Sequence, residues 1–484
     1  MIEFEQAKQK IEREKYCEAL DLLHIAEAKY GSLECISFHI GKAYFYAGQY
    51  ESAEIYFDKT LKSQEINIRD YSKYYLSRIY FGRKDIFKAL DTFLNLEQID
   101  IYEGKILTEL FYELSLFLQK NNCSGNYLKT IEIYEKYREF MPQQDVFLAN
   151  KLLNEYELAS KKHFLTSRPR SWLVILSNLC NLKCVMCYQE KTECRHINSK
   201  IISLVLENLK FAEKIIWQGG EPLILPYFEN LLKQACEYKH IHQIIITNFQ
   251  EVTDGMLDLI VKHRIHLTVS VDGATKKTYE SIRKGASFEK LLSNIKRLND
   301  LSRDVFLQIN FVVMRENYFE MQDILEFAHK YNFRMISFIK CAVAPWQTLN
   351  ESFSCQEAEF IKENMAKIYI QAEKYGIIID NQLPMPTAVN GENKDVKSDN
   401  KNEKGLYCHL PWYEITVSYD DIVKSHCLCL AADAVKSDNV LSVDDIWNSE
   451  TLLNTRNNIL NSDKKLCSDA CLSLAADYKK PINF

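Results

Sequence analysis

From Phe4 to about Phe164, apolar residues recur at the three- and four-residue spacing of amphipathic helices, and no strand-like alternation bounded by turn residues interrupts them. The pattern also repeats. Gly41, Tyr44, Ala53 and Phe57 are matched 36 residues later by Ser77, Tyr80, Ala89 and Phe93. Gly41, Tyr50, Ala53 and Phe57 are matched 34 residues earlier by Ala7, Tyr16, Ala19 and Leu23. A period of this length marks paired helices, in which small residues allow close approach and aromatics fill the space between. A further copy around Phe111 to Tyr134 is stretched, so three to four repeats and a capping helix near Asp145 to Lys161 are expected. Ser167-Arg168-Pro169-Arg170 ends the helical pattern. Beyond it, apolar runs at Trp172–Leu176, Ile215–Trp217, Gln243–Ile246, Leu267–Val271, Val305–Val313 and Met335–Ile339 each precede a helical pattern. Six such units predict a parallel sheet curled as a partial six-unit β/α barrel, with its chemistry at the C-terminal strand ends.

The expected layout is a multidomain α and α/β chain: a helical α-solenoid over 1–165, the partial barrel over 171–387, a polar mobile linker over 388–404, and a small cysteine-rich α+β module over 405–484. Hydrophobic content of 47% with 26% charged residues is that of a globular protein, and a net charge of -6 excludes a strongly basic nucleic-acid binder. The N-terminus lacks a signal-peptide pattern and no apolar run approaches the roughly 20 residues of a spanning helix, so a cytoplasmic location without a membrane partner is expected. Fifteen cysteines in a reducing compartment point to metal or cluster ligation rather than disulfides.

Cys180, Cys184 and Cys187 follow the first strand run with three and then two intervening residues. Three thiolates on a cubane iron–sulfur cluster leave one iron without a protein ligand, open to a small molecule. The alternative is a zinc knuckle completed by Cys194 or His196. Gly219-Gly220-Glu221-Pro222 follows the second run; glycines permit close backbone approach and a carboxylate pairs with an ammonium, although the string alone also makes a turn.

Together these strings resemble the signature of the radical S-adenosylmethionine (radical SAM) superfamily over about Trp172 to Asp380. The resemblance implies a 4Fe–4S cluster on Cys180, Cys184 and Cys187. Its open iron binds the amino and carboxylate groups of S-adenosylmethionine, and one electron yields methionine and a 5'-deoxyadenosyl radical that takes hydrogen from a substrate carbon. It assigns Gly219, Gly220, Glu221 and Pro222 to the methionine amine, and Ser270 and Arg283 to the ribose or carboxylate. Met186 would lie against adenine, and Asn248, Val313 and Met314 would make further cofactor contacts. Cys341, after the sixth run, matches relatives in which a cysteine donates hydrogen to a substrate radical; the alternative is a buried small side chain. Asp272 is a candidate general base, or part of a turn in Ser-Val-Asp-Gly.

The C-terminal segment resembles SPASM/twitch auxiliary-cluster domains, through Cys408, Cys427, Cys429, Cys467, Cys471, Trp412 and the run Asp445-Ile446-Trp447-Asn448-Ser449. It departs from them in carrying fewer than seven cysteines and in Ile422, which stands where a glycine is expected. The implied content is one auxiliary 4Fe–4S cluster on Cys408, Cys427, Cys467 and Cys471, with Cys429 as the substitute for Cys427; zinc or no metal are the alternatives. The N-terminal repeats resemble tetratricopeptide repeats, which suit a peptide partner or serve packing alone. The expected activity is oxidation or crosslinking of a peptide or protein, fed by an electron donor such as flavodoxin or ferredoxin. The alternatives are a radical dehydrogenase or epimerase of a sugar or metabolite, and a non-catalytic repeat-based binding protein.

Overall fold

The computed structural model describes residues 1–96, 103–187, 189, 193–341, 353–383, 406, 408–426, 429, 433–434, 442–465 and 467. Two compact units emerge, residues 1–120 with 132–152 and residues 121–131 with 153–484. The division falls earlier than the expected boundary at 165. The end of the last N-terminal helix explains why: Asn154 donates to Ser167 Oγ (2.9 Å) and to the Trp412 carbonyl (2.6 Å), and Glu157 accepts from Ser167 N (3.1 Å).

The N-terminal region is helical: α1 (Ile2–Glu12), α2 (Tyr16–Tyr30), α3 (Glu34–Tyr46), α4 (Tyr50–Thr60), α5 (Ile66–Gly82), α6 (Ile86–Leu94), α7 (Glu103–Cys123), α8 (Tyr127–Tyr137) and α9 (Val146–Ala159). The sequence period reappears in the turns. Glu14, Gly48, Lys84 and Gly125 all adopt positive φ. In each turn the next residue's N–H returns to a carbonyl five residues back, from Lys15 to Lys10, Gln49 to Tyr44, Asp85 to Tyr80 and Asn126 to Asn121. This satisfies an orphan carbonyl at each helix end. The same turn therefore closes α1, α3, α5 and α7, the last in the stretched copy, and it recurs at helix ends elsewhere, at Lys161, Arg264, Asn332, Gly376 and Ser462. Gly41 and Phe57 show why the period selects small residues: a Cβ on Gly41 would meet the Phe57 ring at 2.9 Å. At the matching position, Ser77 is buried and its hydroxyl donates to the Ala89 carbonyl (2.8 Å).

In the second unit β1 (Ser171–Ile175), α10 (Ser199–Asn208), β2 (Lys214–Gln218), α11 (Phe228–Ala235), β3 (His242–Thr247), α12 (Asp254–His263), β4 (His266–Ser270), α13 (Lys276–Ile282) and α14 (Phe288–Leu301) come first. They are followed by β5 (Leu307–Val313), α15 (Met321–Lys330), β6 (Met335–Lys340), α16 (Cys355–Tyr375), β7 (Ile378–Asn381), α17 (Leu410–Tyr413), β8 (Glu414–Ser418), β9 (Ile422–Lys424), β10 (Asp433–Ala434), α18 (Val443–Trp447) and α19 (Glu450–Leu460). The strands form one open sheet of order β10-β9-β8-β1-β2-β3-β4-β5-β6-β7. Alternation sorts its faces: Trp172, Trp217, Ile245, Val269, Phe311 and Phe338 join the core beneath the helices, while their sequence neighbours face the concave side.

Two features exceed the expected six-unit barrel. β7 adds a seventh parallel strand, and β8 pairs parallel to β1, with Ser171 opposite Glu414. The C-terminal strands thus extend the main sheet instead of making a sheet of their own. Trp412 Nε1 donates to the Lys162 carbonyl (2.7 Å), Trp447 Nε1 to the Ser167 carbonyl (3.0 Å), and buried Arg456 to the carbonyls of Pro411, His163 and Trp447. These residues fasten the C-terminal segment to the chain leading into β1. The linker at 388–404 lies outside the described residues.

Candidate functional site

A cavity opens at the C-terminal ends of β1 to β5, lined by Cys180, Cys184, Met186, Cys187, Gln189, Gln218, Gly219, Gly220, Glu221, Ile246, Thr247, Asn248, Ser270, Arg283 and Val312. Its volume is about 210 Å³.

The loop after β1 carries the three cysteines, and its backbone is pinned on both sides of Arg283. Lys183 N donates to the Lys284 carbonyl (2.9 Å) and Val185 N to the Ile282 carbonyl (3.0 Å). Arg283 Nη1 consequently reaches Cys184 Sγ at 3.7 Å, while Asn248 Nδ2 lies 3.9 Å from Cys180 Sγ. Burial pushes the Cys184 thiol up, and the nearby guanidinium pulls it down.

The turn after β2 lies on the same loop. Gly219 and Gly220 have φ of +104° and +57°, which side-chain-bearing residues rarely adopt. Gly220 N donates to Gln189 Oε1 (2.9 Å) and Glu221 N to the Leu179 carbonyl (2.9 Å). Glu221 is buried. Its Oε1 accepts from Thr247 Oγ1 (2.6 Å) and Leu223 N (3.1 Å), and its Oε2 from Asn248 N (2.6 Å). Burial pushes this carboxyl up to about 7 against those hydrogen bonds. A carboxylate offers about four lone-pair sites, so Oε2 retains room for a donor from a ligand.

Arg283, 7% exposed, is held by Asp272, with Nη2 2.6 Å from Oδ2. Asp272 Oδ1 accepts from Val312 N (2.7 Å), and Asn317 Nδ2 donates to the Asp272 carbonyl (3.0 Å). Asp272 is fully buried and does not line the cavity, so the expected general base instead positions Arg283. Three further residues sit elsewhere than expected. Val313 faces the helix-side core, and strand alternation puts Val312 on the cavity. Met314 packs with Met186, Ile282 and Cys341, and neither Met314 nor Cys341 lines the cavity. Pro222 opens a short 3-10 turn behind the glycines. Gln189, Gln218, Ile246, Thr247 and Val312 are cavity residues that sequence reasoning missed. Strand-end position was the available signal for all but Gln189.

The residues fit a cluster and its ligand. Three thiols line one cavity, the glycine turn forms a cradle that a Cβ would fill, and Arg283 Nε is buried without a hydrogen-bond partner among the described residues. Cys194 and His196, the alternative zinc ligands, contact each other (3.5 Å) and do not line the cavity. Among the described residues no three or more His, Cys, Asp or Glu side chains are grouped as a single-ion site. Of the C-terminal cysteines, Cys429 and Cys467 face each other in an antiparallel bridge, and Cys408 is buried in the core. Cys427 and Cys471 lie outside the described residues. No helix among those described is long and apolar enough to cross a membrane.

Comparison with known proteins places this cavity in a family. Residues 174–328 match the model of the Radical SAM superfamily. The chain is similar to a Methanocaldococcus jannaschii protein named "Probable GTP 3',8-cyclase", at 29% identity over 170 residues, covering 33% of this chain and 54% of that one. It is also similar to the antilisterial bacteriocin subtilosin biosynthesis protein AlbA of Bacillus subtilis, at 24% identity over 163 residues, covering 31% and 35%. The chain thus spans about half the length of the first relative and about a third of the second. The crystal structure of Streptococcus suis SuiB shares the fold, with a TM-score of 0.51 at 15% identity over 86% of this chain and 83% of that one. Proteins of this family use a 4Fe–4S cluster and S-adenosylmethionine, and residues 174–328 of this chain are a radical SAM domain.

Proposed function

We propose that the protein reductively cleaves S-adenosylmethionine and directs the resulting 5'-deoxyadenosyl radical to an unactivated carbon of a peptide or protein, giving oxidation or a crosslink. The observation that carries this reading is the convergence of Cys180, Cys184, Cys187, Gly219, Gly220, Glu221, Ser270 and Arg283 on one cavity. The bound cluster and its ligand supply the radical chemistry, and the chain holds, orients and shields them. Cys180, Cys184 and Cys187 hold three irons. The Gly219-Gly220 backbone and Glu221 hold the ammonium, Arg283 the carboxylate, Ser270 the ribose, and Met186 and Asn248 border the adenosyl group.

Cys408, Cys467 and either Cys427 or Cys429 are read as ligands of an auxiliary cluster, with Cys471 completing the set. The bridge between Cys429 and Cys467 favours Cys429. Such a cluster, if held there, would supply an electron acceptor or a ligand site for the substrate. The close packing of Gly41 on Phe57 at the repeat period supports a tetratricopeptide-like reading of the N-terminal region as a peptide-binding element, and a bacteriocin biosynthesis protein stands among the relatives. A second reading, a small-molecule substrate, is favoured by the cyclase relative. Anaerobically reconstituted protein, reduced in the presence of S-adenosylmethionine, should form 5'-deoxyadenosine and hold about eight irons per chain. Stimulation by GTP and by no peptide would favour the second reading, and absence of both 5'-deoxyadenosine and a cubane paramagnetic signal would sink both.

A further inference from the structure

The concave face of the sheet continues beyond the cavity as a polar row. Ser270 on β4 pairs with Asn310 on β5, Asn310 with Ser337 on β6, and Ser337 with Asp380 on β7. Residues paired across parallel strands share a face, and Val269, Phe311, Phe338 and Ile379, of opposite parity, pack with the helix-side core. The row therefore starts at a cavity-lining residue and ends on the edge strand. Three strand spacings put that end about 14 Å from Ser270.

Hydrogen bonds fix the far end of the row. Gln308 Nε2 donates to Ser337 Oγ (2.8 Å), Ser337 Oγ donates to Asp380 Oδ2 (2.8 Å), and Gln382 Nε2 donates to the same Oδ2 (2.7 Å). Both bonds to the carboxylate come from neutral groups and fall on one oxygen. Among the described residues Asp380 has no ion-pair partner and Oδ1 accepts no hydrogen bond. Two other acids at this sheet, Glu414 on β8 and Asp272 just beyond β4, are paired, Glu414 with Lys214 and His426, and Asp272 with Arg283. Asp380 is half-buried, and Ile378, two residues earlier on the same face, is 55% exposed, so the face is open at this edge. A carboxylate that is oriented, partly desolvated and left without a counter-charge is a receptor for an ammonium or guanidinium group.

Building on the radical reading above, we infer that Asp380 determines specificity by taking the side-chain cation of a lysine or arginine in a peptide substrate. At about 3.3 Å per extended residue, that residue lies roughly four positions or fewer from the one presented to the cavity.

The test uses the full-length holoenzyme with S-adenosylmethionine and a pool of randomised ten-residue peptides, sequencing those retained. Wild type should enrich lysine and arginine over glutamine by about tenfold at one position, equivalent to roughly 1.4 kcal/mol. D380N should lose that bias, D380E keep part of it, and D380K prefer aspartate and glutamate instead. A misfolded variant cannot invert a preference, so inversion by D380K supports the inference, whereas a D380K that retains peptides without inverting the preference overturns it, as does equal basic enrichment by D380N and wild type. Peptides retained without basic bias sink the role of Asp380 and leave the peptide reading standing, and a pool from which wild type retains nothing sinks both. Peptide-free 5'-deoxyadenosine formation by wild type reports separately on the radical reading.

Discussion

Gly220 lies against the backbone of Leu179 so closely that a Cβ on it would stand 1.9 Å from the Leu179 carbonyl oxygen. Leu179 immediately precedes Cys180, and the same carbonyl accepts from Glu221 N. The turn read as holding the methionine amine and the loop read as holding the cluster are therefore one rigid object, with no space for a side chain between them.

Gly220→Ala should thus disturb cluster loading. The added methyl meets backbone on one side and a left-handed φ on the other, so the loop must shift, at a cost of about 1–3 kcal/mol or more. Iron per chain after reconstitution should fall from about eight toward about four, the loss of one cubane cluster. Gly255→Ala, whose Cβ would meet only the Glu229 carboxylate at an ordinary 3.7 Å, should leave loading unchanged. Full iron content in Gly220→Ala would refute the coupling.

Glu221 makes the cofactor-free protein's stability depend on pH. Its carboxyl is raised from the ordinary 4.5 to about 7 in the folded chain. Between those values the folded state keeps a proton that the unfolded chain has released, so stability present below about 4.5 is lost as pH rises through about 7. The contribution is about 3 kcal/mol. Glu221→Gln cannot titrate. Chemical denaturation at several pH values should therefore show wild type losing stability relative to this variant across that window, and parallel profiles would refute it.

Asp272→Asn tests the positioning role given to Asp272. It leaves the Arg283 cation buried without its carboxylate, which costs about 3–5 kcal/mol. Asp254→Asn, which removes an exposed partner of Arg297, should cost less than about 1 kcal/mol. Equal shifts of the two unfolding midpoints would count against the assignment.

Much of the cavity could be read from the chain because its residues belong to short local strings, most of them following strands and that of Arg283 closing α13. The three cysteines, Gly219-Gly220-Glu221, Ser270 and Arg283 were named on that basis, and all line the cavity. What was missed depends on parity and on distant pairing. A one-residue difference in strand phase separates Val312 from Val313, and a bulk apolar run does not reveal that phase. Asp272 could serve as base or anchor until Arg283, eleven positions on, was placed beside it. β8 is a five-residue strand whose partner, β1, lies more than 200 residues earlier, so no local pattern announces the pairing.

That pairing has a consequence for biosynthesis. β1 gains its second neighbour only when Glu414–Ser418 has left the ribosome, and contacts so remote in sequence form late. Until then the strand leading into the cysteine loop is a sheet edge, exposed to solvent and to other nascent chains. Fragments ending before residue 414 should therefore aggregate more readily than chains that include β8.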